Sequence, residues 1–134
     1  MTRPQKPSTK PPALHCGDNL PYMRSLPNGC CDLIYLDPPF STGRSHRTKA
    51  NAAGFADQWS GGRKAYLAFM IPRLAECHRL LAPHGTLYLH LDWRASHYAR
   101  IQLDTIFGEG NFLNEIIWHY RTGGVATRWF GRKH

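Results

Sequence analysis

The residues best placed to do chemistry in this chain stand together as Asp37-Pro38-Pro39-Phe40. Proline fixes its own φ and restricts the residue before it, so two in succession hold this backbone stiff and extended. An aspartate oxygen and the Pro38 carbonyl, held that way, can each accept one N–H from an exocyclic amino group. The nitrogen lone pair is then turned toward an electrophile. Catalysis of this kind works by positioning and by dipoles set for the positive charge that develops on the attacked nitrogen, with no metal and no covalent intermediate. Phe40 adds a flat face on which a base drawn out of a duplex can stack. A bare tetrapeptide of this composition is also a competent tight turn after a strand, so its surroundings decide between the two.

Those surroundings are basic. Seventeen Lys and Arg against nine Asp and Glu give a formal charge of +8 over 134 residues, which favours a polyanionic partner, nucleic acid first. Arg44, Arg47, Lys49 and Arg94 are the candidate phosphate contacts, because a basic loop beside a base-extrusion pocket has to track the backbone. His90 and Asp92 alternate on one strand with His97 nearby, but no further ligand follows at metal-site spacing. They read as residues on one face that shape a pocket through hydrogen bonds, and no metal is assigned. Trp59, Trp93, Trp118 and Trp129 read as core or interface residues, with at most one in base stacking. Cys16, Cys30, Cys31 and Cys77 form neither a C-x-x-C pair nor a secreted framework, and read as reduced, buried thiols.

The length and the 42% hydrophobic content suit one domain or part of one. No apolar run approaches the roughly 20 residues that cross a bilayer, and Met1 to Pro12 lacks the apolar core of a signal peptide. A soluble, cytoplasmic protein with no membrane partner is expected.

The elements that must position the tetrapeptide follow from the hydrophobic pattern. Residues 1–12, with four prolines and Arg3, Lys6 and Lys10, read as a flexible basic arm. Ala13 to Cys16 predicts a short strand, and Asn19 to Leu26 a short helix stopped by Pro27-Asn28-Gly29. Asp32 to Leu36 is an unbroken apolar run after its first residue, the pattern of a strand buried on both faces of a parallel sheet. Ser41 to Gly62 has no sustained period and predicts a long surface loop. Leu67, Met70, Ile71, Leu74, Cys77 or His78, and Leu81 recur at helical spacing, with a kink at Pro72 and closure at Pro83-His84-Gly85. Thr86 to Leu91 predicts a strand, Ala95 to Phe107 a helix ended by Gly108 and Gly110, and Asn114 to Tyr120 a further strand. Strands alternating with helices specify an α/β domain with a mainly parallel sheet and flanking helices. Such sheets hold ligands beyond the carboxyl ends of their strands, where the tetrapeptide lies.

With these elements in order, the chain resembles the beta-class DNA amino-methyltransferases, especially adenine-N6 enzymes such as the methylation subunits of type III restriction systems. The resemblance runs through Gly17-Asp18-Asn19-Leu20, Asp32 to Phe40 with Ser41-Thr42-Gly43, Leu89-His90-Leu91-Asp92-Trp93, and Phe112 to Trp118. It implies a partial Rossmann-like, S-adenosylmethionine-dependent methyltransferase fold, with the target amino group held by Asp37, Pro38, Pro39 and Phe40. It also implies that Asp18, with Asp37, lies at the cofactor; Asp18 is otherwise an acid that caps the next helix. An Asp at the head of the tetrapeptide is more typical of adenine enzymes, a Ser of cytosine-N4 enzymes. The family's Phe-x-Gly-x-Gly cofactor loop has no counterpart in these 134 residues.

The resemblance therefore predicts the catalytic-motif half of a methyltransferase at 13–120 and the start of a target-recognition region at 121–134. Its partners would be double-stranded DNA and the C-terminal half or a restriction subunit, and the chain alone would be inactive. Two alternatives remain open from the sequence: methylation of cytosine N4 or another amino group, and a non-catalytic nucleic-acid-binding fragment.

Overall fold

The computed structural model describes residues 13–46 and 55–118. The basic arm, Arg47, Lys49, Trp129 and the whole of 121–134 lie outside the described residues.

Helix α1 (Asn19–Ser25) begins where Asp18 accepts the amide of Leu20 at 3.0 Å, the acceptor role a helix start requires. Strand β1 (Cys31–Leu36) follows the turn at Asn28-Gly29. Strands β2 (Arg44–His46) and β3 (Phe55–Asp57) pair antiparallel. The long helix α2 (Gly62–Leu80) then leads directly into β4 (Leu81–Leu89), and α3 (Ser96–Phe107) ends at Gly108, φ 86°, before a single 3-10 turn at Glu109–Asn111. Strands β1 and β4 pair parallel, which obliges the chain to cross over between them. The α/β expectation holds at this level.

Helix α2 is the spine of the packing. Its buried positions Tyr66, Met70, Arg73, Leu74, Cys77 and Leu80 form one stripe, as helical spacing requires. Met70 and Leu74 join Tyr66 and Ala95 in one cluster against Leu36 and Leu89. Cys77 and Leu80 join Met23 in a second, against Ile34 and Leu87. Burial pushes the Cys77 thiol up to about 11, so it stays protonated and packs as a small apolar group. Arg73, 6% exposed, is satisfied by Asp18 at 2.7 Å, Asn19 at 2.9 Å and the Phe69 carbonyl at 2.7 Å. Arg79 donates to the carbonyls of Met23 and Leu26. Two arginines of α2 thus hold the end and start of α1, beside the apolar contact of Met23 with Cys77 and Leu80.

Several sequence expectations are corrected here. Residues 13–16 and 114–118 are not strands, and His119 and Tyr120, the rest of the expected 114–120 strand, lie outside the described residues; no described strand pairs with 13–16 or 114–118, and Leu14, Ile116 and Trp118 stand exposed. Trp118 is therefore not a core residue among the described contacts. Strand β1 is covered on one face only: Ile34 and Leu36 pack on the helices, while Leu33 and Tyr35 are 61% and 62% exposed. The 41–62 segment is not an unstructured loop, since it holds β2, β3 and the start of α2. Of the four cysteines only Cys77 is buried, whereas Cys16 and Cys30 are exposed.

Pro83-His84-Gly85 does not close α2, which ends at Leu80 and carries Pro72 inside it. The triplet lies inside β4 at an irregularity: Cys31 faces Leu81 but Leu33 faces Thr86. A side chain at Gly85 would put its Cβ 2.8 Å from the Cys31 carbonyl oxygen and 2.8 Å from Leu81 Cδ2. Neither the backbone nor the paired strand can yield cheaply, so Gly85→Ala should cost roughly 1–3 kcal/mol of stability. A urea midpoint unchanged from wild type would show that β1 and β4 do not approach this closely.

Candidate active site

Strand β1 delivers Asp37-Pro38-Pro39-Phe40 to the edge of the packed region. The ladder continues one step past β4, where the amide of His90 donates to the Leu36 carbonyl at 2.9 Å, and the chain then parts from its neighbour. The tetrapeptide starts at that point, outside any helix or strand, with Asp37 exposed. This is the carboxyl-end position that favours ligand sites in parallel sheets. The Phe40 ring meets the His90 ring at 5.4 Å between centroids, tilted 33°, and His90 also lies 6.4 Å from Tyr35. His90 therefore contributes to the site by ring contact rather than by the hydrogen bond expected of it. Asp92 does make hydrogen bonds, but to Arg94: to its amide at 2.8 Å and to its guanidinium.

Beyond Phe40 the chain turns sharply. Ser41 has φ 59°, the left-handed region that a residue with a side chain adopts only at a cost, and Gly43 has φ 73°. The turn is held by a residue that sequence reasoning missed. Asp57, at the end of β3 and 1% exposed, accepts from the Ser41 amide at 2.9 Å, the Thr42 amide at 2.7 Å, the Thr42 hydroxyl at 2.7 Å and the Trp59 indole at 3.1 Å. Its main-chain carbonyl accepts the Gly43 amide at 3.0 Å. Burial alone would raise the Asp57 carboxyl, but the hydrogen bonds from Thr42, Trp59 and Ser41 outweigh it and hold the group below the ordinary carboxylate value. The available signal was the alternation of Phe55, Asp57 and Trp59, hidden within a stretch read as loop.

A cavity of about 460 Å³ opens beside this turn, lined by Ser41, Arg63, Tyr66, Trp93, Arg94 and the first turn of α3. Arg63, also missed, is exposed and lies 3.7 Å over the Tyr98 ring; Arg94 lies 4.7 Å over Trp93. Trp93 is thus the tryptophan that lines the site, whereas Trp59 packs on Tyr66 and Phe69 as a core residue. The Tyr66 hydroxyl is buried with no hydrogen-bond partner among the described residues, and its burial, with the nearby Asp57 and Asp92 charges, pushes it well above the ordinary phenol value.

The other sequence candidates are dispersed. Arg44 is exposed on β2, opposite Asp57. Asp18 caps α1 and pairs with Arg73; the Leu20 amide first, and Arg73 after it, lower its carboxyl below the ordinary value. Both recorded bonds fall on Oδ1, and the side chain is 58% exposed, which leaves Oδ2 as an acceptor for a ligand's hydroxyl or amino donor. Among the described residues no helix is long and apolar enough to cross a membrane.

The sequence profile of a family described as DNA methylase matches residues 31–133. The chain is 30% identical over 108 residues to the type II methyltransferase M.KpnI of Klebsiella pneumoniae, covering 78% of this chain and 26% of that protein. It is 31% identical over 125 residues to the StyLTI Mod subunit, a type III restriction-modification enzyme of Salmonella typhimurium, covering 76% and 19%. It is 26% identical over 112 residues to the DNA adenine methyltransferase YhdJ of Escherichia coli, covering 84% and 34%. The chain therefore spans between about a fifth and a third of the length of these relatives.

Proposed function

The chain belongs to the DNA methylase family, and from that footing we propose that it carries the amino-group-holding half of an S-adenosylmethionine-dependent adenine-N6 DNA methyltransferase. The observation that carries the reading is the stiff Asp37-Pro38-Pro39-Phe40 segment at the open end of β1, with the Phe40 ring backed by His90. A relative named as a DNA adenine methyltransferase supports the choice of adenine.

In this reading the exposed Asp37 carboxylate accepts one N–H of the extruded adenine's amino group and the Pro38 carbonyl accepts the other. Pro39 keeps that carbonyl from turning away. The base stacks on the face of Phe40 that His90 leaves open. Holding both N–H groups in the plane of their acceptors draws electron density onto the nitrogen and directs its lone pair out of the base plane, so its entropy of alignment is paid on binding. When bound, S-adenosylmethionine supplies the electrophilic methyl group. Asp18 and Asp37 are the acceptors this chain offers it, and the remainder of the cofactor site falls to a segment bearing the Phe-x-Gly-x-Gly loop that these residues lack. The proton displaced from nitrogen leaves to solvent, or through Asp37 acting transiently as a base.

Double-stranded DNA is the proposed partner, its phosphates meeting Arg44, Arg47, Lys49 and Arg94, to which the cavity-lining Arg63 is now added. The β1–β4 pair is read as part of a larger Rossmann-like sheet. Parallel strands are normally covered on both faces, and Leu33 and Tyr35 await a covering layer. Residues 13–120 would be one portion of that domain and 121–134 the entry to a target-recognition region, with the C-terminal half or a restriction subunit as protein partner.

Transfer of labelled methyl groups to duplexes whose only amino-bearing target is adenine, compared with cytosine-only duplexes, tests the assignment. Label on adenine duplexes alone is expected. Label confined to cytosine would move the reaction to N4. Salt-sensitive duplex binding with no label on either, even with the cofactor-loop half supplied, would favour a non-catalytic nucleic-acid-binding role.

A further inference from the structure

We propose that Asp57 is the positioning residue of the site: its carboxylate holds the Ser41–Gly43 turn and thereby fixes how Asp37, Pro38 and Phe40 meet the target base. This rests on the base-holding reading above. Among the described residues, three of the four donors on its side chain belong to Ser41 and Thr42, the two residues that follow Phe40. The fourth is the Trp59 indole, through which the turn is tied to the Tyr66 and Phe69 core. The β2–β3 ladder closes through main-chain pairing and does not need an acidic side chain. The carboxylate is therefore spent on the catalytic segment.

Its chemistry admits no neutral substitute. Oδ1 faces two donors, the Ser41 amide and the Trp59 indole, and Oδ2 faces two more, the Thr42 amide and hydroxyl. An ionised carboxylate is acceptor-only and satisfies all four. An asparagine of the same shape turns its NH2 group either toward the Ser41 amide and Trp59 indole or toward the Thr42 amide and hydroxyl; the hydroxyl can reverse and accept, but in either placement at least one buried N–H donor is left unmet. Without the clamp nothing described holds Ser41 in its left-handed conformation, which costs free energy for a residue with a side chain. Relaxation of Ser41 redirects the chain that enters from Phe40. Because Asp57 also stands opposite Arg44 in the hairpin, the same anchor joins the base-holding segment to the strand that leads into the basic stretch of Arg47 and Lys49.

The test uses the 134-residue chain with Asp57→Asn and Asp57→Glu. Amide exchange is read at Ser41 and Thr42, with the amides of α2 as a fold control. Base holding is read as fluorescence enhancement of 2-aminopurine placed next to adenines in mixed-sequence duplexes, so that the adenines keep their amino groups and their extrusion unstacks the probe. With Asp57→Asn, protection at Ser41 and Thr42 should fall by at least about 10-fold while α2 is unchanged, one buried hydrogen bond being worth roughly that factor. The enhancement should be lost with duplex affinity held within about twofold, as expected when positioning and phosphate binding are separate. Asp57→Glu, which keeps two acceptor oxygens, should recover part of both signals. Unchanged protection in Asp57→Asn, or lost protection with full enhancement, overturns the positioning role and leaves the methyltransferase reading standing. A wild-type chain that binds duplex with no enhancement overturns the base-holding reading and the positioning role with it.

Discussion

Asp37→Ala should lower methyl transfer to adenine by at least roughly 10²–10³-fold in a form of the protein that turns over, the size of effect seen when one preorganised electrostatic partner is removed. Duplex affinity should stay nearly unchanged. The two effects separate because Asp37 is offered a single amino group, whereas affinity for DNA is dominated by phosphate contacts spread over several basic side chains. Loss of one acceptor leaves the amino group free to rotate, and the lone pair is no longer directed at the methyl group. Asp37→Asn is the sharper companion. It keeps one oxygen to accept an N–H but can no longer take up a proton, so a variant that retained most of its rate would exclude proton transfer through Asp37 while preserving the orienting role. Full turnover by Asp37→Ala itself would dispose of the assigned role altogether. The measurement is a single-turnover assay with labelled cofactor beside a duplex titration at fixed salt.

The second large effect is on stability. Leu74 is fully buried in the cluster with Tyr66, Met70 and Ala95, and this cluster joins α2 to Leu36, the last residue of β1, and to Leu89, the last of β4. Leu74→Ala removes the packing beneath both strand ends and should cost about 2–5 kcal/mol, transfer and cavity contributions together. Set against the roughly 5–15 kcal/mol of a typical domain, that is enough to populate unfolded chain at ambient temperature. Urea unfolding followed by tryptophan fluorescence should show the midpoint displaced downward with the slope preserved. A displacement worth less than about 1 kcal/mol would mean that the site collapses around the missing atoms, and that the core under β1 is looser than its burial indicates.

The same cluster shows why a helix not assigned to the site still governs it. Trp59 and Tyr66 pack edge to face with centroids 5.4 Å apart, and the Trp59 indole reaches Asp57. Asp57 in turn holds Ser41 and Thr42. Core packing, the buried carboxylate and the segment beyond Phe40 thus form one continuous chain of contacts.

The sequence by itself determined the elements whose signals are local. The α2 stripe and the 96–107 helix were legible because burial on one side imposes a period on neighbouring residues, and the Asp32–Leu36 strand because it is a short unbroken apolar run, although that pattern wrongly implied burial on both faces. The Asp-Pro-Pro-Phe segment was legible because proline stiffness is a property of the residue and needs no partner. Family membership followed from those same stretches, and the comparison with known proteins bears it out. What the sequence misjudged depends on partners far along the chain. Residues 13–16 and 114–118 have strand-like composition, but a strand exists only where another strand offers hydrogen bonds, and none of the described strands does so. Pro83-His84-Gly85 carried a local signal for a helix end, yet it lies in β4 because Gly85 alone lets the Cys31 carbonyl approach so closely. Asp57 was invisible because its four donors lie two residues ahead of it and fifteen or sixteen behind. Only the folded hairpin brings them to one carboxylate, and no spacing rule in a linear sequence can record where a turn will place an amide.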